Sequence, residues 1–77
     1  MGEFQKGVDE LKKRKAAKDA GIDSSDPAYA DFSDGWDASH SDSPREDVKK
    51  NYPKGGDKKD KDAFRAGYAS GAEDRTA

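Results

Sequence analysis

Large apolar side chains are so scarce in this chain that the size of its core limits every fold open to it. Leu, Ile, Val and Phe together number seven in 77 residues, or 9%. That is well below the ~20% under which a highly charged chain has difficulty collapsing. The large apolar residues are Met1, Phe4, Val8, Leu11, Ile22, Tyr29, Phe32, Trp36, Val48, Tyr52, Phe64 and Tyr68. These suffice for one small core, so residues 1–77 are expected to form a single marginal domain. Weak stability alone, or stabilisation by a partner, follows from that shortage.

Charge is plentiful and segmented. Residues 1–20 carry six basic and four acidic groups, residues 21–43 carry six aspartates and no Lys or Arg, and residues 44–63 carry seven basic and five acidic groups. The net charge of −2 is too balanced to imply nucleic acid or membrane by itself. The absence of cysteine excludes disulfides and thiolate metal sites. No apolar run has the length of a signal h-region or a membrane span, so a cytoplasmic location is expected.

Three segments echo one another. Phe4-Gln5-Lys6-Gly7-Val8, Phe32-Ser33-Asp34-Gly35-Trp36 and Phe64-Arg65-Ala66-Gly67-Tyr68 all read F-x-x-G followed by a large residue, at spacings of 28 and 32. Helical spacing puts the two large residues of each on one face, and the glycine beside them lets another backbone approach.

An all-α fold is expected: a small loose bundle of three to four short helices with a flexible linker and flexible termini. The first helix spans about Glu3 to Ala20 and stops at Gly21, with Phe4, Val8 and Leu11 as its packing stripe. Asp26-Pro27 opens the second, where Tyr29, Phe32 and Trp36 share one face and Asp31, Asp34 and Asp37 the other. Ser43-Pro44-Arg45-Glu46 has the form of a capping box and starts a third helix carrying Val48 and Tyr52. Residues 53–59 are expected to be a flexible charged linker. A fourth helix from about Asp60 to Glu73 turns Phe64 and Tyr68 inward, with Gly67 allowing close approach.

No catalytic, metal or cofactor site is expected. His40 is the one histidine and there is no cysteine, so a triad or a Cys–His pair would depend on it alone. No phosphate-loop or dinucleotide glycine pattern is present, and the core is too small to enclose a sugar cleft. The acids around Asp31 to Asp42 do not fit an EF-hand register, because Ala30 and Phe32 fall where oxygen ligands are required.

Two surfaces are candidates for partner contact. Lys12, Lys13, Arg14, Lys15 and Lys18 form a basic stretch, either a solvated helix end or a docking site for an acidic protein surface or a phosphate backbone. Tyr29, Phe32 and Trp36 are expected mainly as core, packed with Phe4, Val8, Phe64 and Tyr68, with an exposed docking face as the alternative.

Gly35-Trp36-Asp37-Ala38 and Ala66-Gly67-Tyr68-Ala69-Ser70-Gly71 resemble the G-W-x-x-A and G-Y-x-x-G elements of ribosome modulation factors, small helical proteins that bind and silence ribosomes. The two elements stand here in the opposite order and the family's strong basic character is missing. That resemblance implies an RNA- or ribosome-binding regulator.

Small size, surplus charge and a sparse core favour a different class: a non-catalytic inhibitor, adaptor or assembly factor that docks on a larger protein. A small structural subunit of a virion or other assembly is the alternative, ahead of RNA binding. No membrane contact and no small-molecule substrate are expected.

Overall fold

The computed structural model describes the backbone of residues 2–76 and the side chains of residues 10–76. It is all-α, with helices α1 (Gly2–Asp19), α2 (Ala28–Ser39), α3 (Pro44–Asn51) and α4 (Lys58–Thr76) and no strand among the described residues. The packing expected of Phe4 and Val8 lies outside the described side chains.

Local chemistry sets the helix ends. Gly21 has φ of 82°, and around it Ile22 N–H donates to the Ala17 carbonyl at 2.8 Å and Gly21 N–H to that of Lys18 at 2.9 Å. This is a Schellman stop. At the next start, the Asp26 carboxylate accepts the Ala28 N–H at 2.9 Å. The capping box expected at Ser43 does not form, and its side chain makes no capping bond. Ser41 Oγ accepts the Ser43 N–H instead, the donor that Glu46 was expected to satisfy. Helix α4 begins two residues inside the expected linker. Asp60 reaches back to accept the Asp57 N–H at 3.3 Å and so satisfies a free donor at the new helix end.

The framework is the pairing of α2 with α4. They run parallel, since Asp26 meets Lys59 at one end while the Ser39 carbonyl accepts a bond from Arg75 at the other. Their backbones touch through glycine. A Cβ on Gly35 would strike the Phe64 carbonyl oxygen, and one on Gly67 would strike that of Phe32. A little further along, Gly71 packs on Ser39 and on the Trp36 carbonyl. The second and third F-x-x-G segments are therefore reciprocal halves of one helix crossing. Each glycine receives the carbonyl of the other segment's phenylalanine. Small residues four apart, Gly35 and Ser39 against Gly67 and Gly71, permit this separation.

Phe32 and Phe64 flank the crossing and are fully buried. One main cluster forms beside it from Ala17, Ile22, Ala28, Phe32, Trp36 and Ala63. Half of these are alanines, which is how a chain with few large side chains closes a core. Leu11 corrects the expected α1 stripe: it is 67% exposed. The buried face of α1 runs through Lys13 and Ala17, and Leu11 lies about 200° around the helix from Lys13. Phe64 and Tyr68 likewise do not join Trp36. Trp36 stacks on His40 at 5.2 Å, whereas Phe64 meets Tyr52 edge-on at 5.4 Å.

Gly35→Ala and Gly67→Ala should each destabilise the protein by about 1–3 kcal/mol, because overpacking against a backbone carbonyl outweighs alanine's helix propensity gain of about 1 kcal/mol. Gly55→Ala, which meets nothing within 4 Å, is the control. Urea midpoints will show the two helical variants falling and the loop variant holding if the crossing is as described.

Candidate functional site

The 32-residue offset that carries Phe32 onto Phe64 extends to the preceding helices. It carries Lys12–Asp19 of α1 onto Pro44–Asn51, the whole of α3. The molecule is thus two helical hairpins, α1–α2 and α3–α4, related by a pseudo-two-fold axis between α2 and α4. Cross-packing obeys this symmetry, with α1 on α4 and α3 on α2. Packing within each hairpin does not. Helix α1 touches α2, whereas α3 makes no close backbone approach to α4 among the described residues.

The first hairpin is closed by chemistry that the second lacks. Lys13 lies between Ser33 Oγ at 2.9 Å and the Asp37 carboxylate at 3.0 Å, with Glu10 at 3.7 Å. These acceptors allow its ammonium to be largely buried. Ala17, beside it on the same face, is wholly buried. At the corresponding places the second hairpin has Arg45 facing Arg65 and Ala69, and Lys49 in place of Ala17. Two guanidiniums and an ammonium with no carboxylate among them cannot share a dry seam. Helix α3 stands off α4.

The result is a groove of about 590 Å3 between α3 and α4. Val48, Tyr52, Phe64 and Tyr68 supply its apolar surface, and Arg45, Lys49 and Arg65 its charge. No Asp or Glu lines it. Phe64 forms a buried floor, while Val48, Tyr52 and Tyr68 are half-buried. Arg65 donates to the Tyr52 hydroxyl at 3.4 Å. Apolar walls around a few convergent polar groups are the usual composition of a binding groove.

The basic stretch of α1 is distributed differently from this groove. Lys12 pairs with Asp74 at 3.5 Å and Arg14 with Glu10 at 3.5 Å, Lys13 is buried, and Lys15 and Lys18 are exposed. Of the aromatic stripe, Phe32 and Trp36 lie in the core. Tyr29 is half-buried, and its hydroxyl donates to Glu10 at 3.0 Å. Gly67 is buried at the crossing and Tyr68 faces the groove. Arg45, Val48, Lys49, Tyr52 and Arg65 were not singled out as contact residues from the sequence. The signal that could have found them was the 32-residue period carried from the F-x-x-G segments into α1 and α3.

One cluster has the residue types of a hydrolytic triad. His40 Nδ1 lies 3.1 Å from Ser39 Oγ, and Nε2 lies 3.2 Å from Asp74. Ser39, however, is buried, donates to the Trp36 carbonyl at 2.6 Å and packs against Gly71. With its hydroxyl engaged in the helix crossing, it has no approach for a substrate. Among the described residues no group of three or more His, Cys, Asp or Glu side chains could hold a metal, and no helix is long and apolar enough to cross a membrane.

Three aspartates have shifted carboxyls that bear on the pH response. Desolvation raises the Asp31 carboxyl, reinforced by Asp60 of α4 and by Asp34. Asp34 is raised by desolvation and by Asp37, against an opposing effect of Lys13. Asp26 is lowered by the Ala28 N–H and by Lys59. No protein-family model, curated protein or solved structure matches this chain.

Asp31 and Asp34 bind protons more readily folded than unfolded, so their penalty at neutral pH is relieved as pH falls through their raised values towards 3.8. Asp26 acts oppositely: its contribution is present above 3.8 and is lost as pH falls through its lowered value. The melting temperature should therefore rise on mild acidification and fall again below about pH 3.8. Asp31→Asn should raise it at neutral pH and flatten the rise. Melting curves followed by circular dichroism across that range provide the check.

Proposed function

We propose that this is a non-catalytic binding protein that docks on a larger protein partner through the face between α3 and α4, acting as an inhibitor, adaptor or assembly factor. The observation that carries this reading is the open second hairpin. Its apolar surface and three cations lie where the first hairpin has a closed, alanine-lined and charge-paired seam. A protein so poor in large apolar residues leaves Val48, Tyr52 and Tyr68 partly open to solvent while burying alanines elsewhere. Covering that surface would contribute about 25 cal/mol per Å2 of apolar area removed from water. It would also stabilise the folded chain by mass action. The small size of the groove suits a contact dominated by a few buried anchors.

A photo-crosslinking amino acid at Val48 tests this in the native cell. The expected result is one adduct with a larger protein, abolished when Tyr68→Asp is added and absent when the crosslinker stands at Lys18. The same adducts from both positions, or none from Val48, would remove the groove as the docking face.

A further inference from the structure

We infer that the docking element of the partner is an acidic amphipathic helix, seated antiparallel to α4 with a carboxylate between Arg45 and Arg65. This rests on the groove being the docking face and adds the chemistry of what enters it.

The first hairpin supplies the template. There, a helix already lies on the equivalent surface: α1 rests on α2 along Ser33, Trp36 and Asp37 and runs antiparallel to α4, with Lys12 at Asp74 and Ala17 among the core residues with Ala63. The pseudo-two-fold axis carries Ser33, Trp36 and Asp37 onto Arg65, Tyr68 and Ala69, which line the open groove. The counterpart of α1 there is α3, which stands off α4, so the α4 face that corresponds to the α1 seat on α2 is left without a helix against it. Its length agrees. Arg45, Val48, Lys49 and Tyr52 mark two turns of α3, about 10 Å, the span over which a docked helix presents anchors at i, i+3 or i+4, and i+7.

The charge follows from the same comparison. In the first hairpin one cation, Lys13, faces a carboxylate, that of Asp37. In the second, Ala69 replaces that carboxylate and Arg65 adds a further cation, so Arg45, Lys49 and Arg65 have no ion-pair partner among the described residues. The missing group is an acid, and the walls around it are aromatic and aliphatic. Arginine's planar fork is suited to a carboxylate. A partner helix with Leu or Phe on one face and Glu or Asp along its edges meets both requirements.

The probe is a synthetic helix of about 14 residues with leucines on one face and glutamates beside them, titrated into the 77-residue chain and followed by amide chemical shifts. Its controls are the same peptide with every glutamate changed to lysine, an acidic peptide with its leucines scattered around the helix, and a single-stranded RNA oligomer. Saturable binding of the first peptide alone is expected, with shifts centred on Val48, Tyr52 and Tyr68. Arg65→Glu should weaken it at least about tenfold and steepen its loss in salt no further. Ala69→Asp, which restores the acid of the first hairpin, should weaken it as well by occupying the arginines from within. Helical circular dichroism must be retained in both variants. If the lysine peptide binds equally, the RNA shifts the same residues, or Arg65→Glu has no effect, the inference is overturned. Failure of the acidic peptide beside a specific adduct at Val48 would overturn the helix inference and leave the docking face standing. Absence of that adduct would remove both.

Discussion

Everything in this molecule depends on the contact of two helix backbones through glycine. With so few large side chains, α2 and α4 could not be joined by a thick apolar layer. They are joined by removing the side chains that would hold them apart. Gly35 and Gly67 each accept the other helix's carbonyl within the space a methyl group would fill, so dispersion contacts between main chains replace contacts between leucines. Glycine within a helix costs about 1 kcal/mol relative to alanine. That cost is offset only if the close approach is made, which ties the local weakness of both helices to their association. The parallel sense of the pair also fixes what lies between them. The chain must return from the end of α2 to the start of α4, and α3 makes that return.

Given the symmetric crossing, the difference between the two hairpins becomes a difference of side-chain chemistry. Both have a basic residue facing the partner helix, Lys13 in one and Arg45 in the other. Lys13 meets a hydroxyl and a carboxylate; Arg45 shares its groove with a second arginine. A buried cation is tolerated when its hydrogen bonds are met and expelled when they are not. The same comparison holds one turn on, where the wholly buried Ala17 corresponds to the exposed Lys49. The α3–α4 separation thus reflects electrostatics acting on a backbone arrangement that closes elsewhere in the same chain.

Much of this was legible in the sequence, and the remainder was hidden for identifiable reasons. The all-α class, the stop at Gly21 and the start at Pro44 follow from local chemistry that tertiary packing leaves unchanged. The F-x-x-G echo was visible as well, but its glycines could be matched only once the two helices were known to run parallel. Leu11 was misplaced because an apolar residue at helical spacing suggests a buried stripe. The buried face of α1 is instead made of alanines and a lysine, and only Ser33 and Asp37 on another helix make that lysine acceptable inside. The groove was invisible for the same reason turned round. Arg45, Val48, Lys49 and Tyr52 look like one more short, charged helix until they are compared with Lys13, Ala16, Ala17 and Ala20 at the same places in the first hairpin.

A groove with apolar walls is a hazard for a small protein, since two copies could cover it by pairing face to face. The cations that open the groove also oppose that outcome. An isologous contact would bring Arg45, Lys49 and Arg65 of one copy against the same three residues of the other, and like charges on opposed surfaces destabilise such a pairing. In a chain of net charge −2 this local excess of positive charge therefore has two effects from one cause. It leaves the seam between α3 and α4 without a carboxylate, and on the proposed reading it would favour an occupant that brings one. An apolar groove without the arginines would close or self-associate, and arginines without the apolar walls would give only a weak, salt-screened surface contact. On the proposed reading, selectivity would arise because the two occur together beside the close α2–α4 crossing.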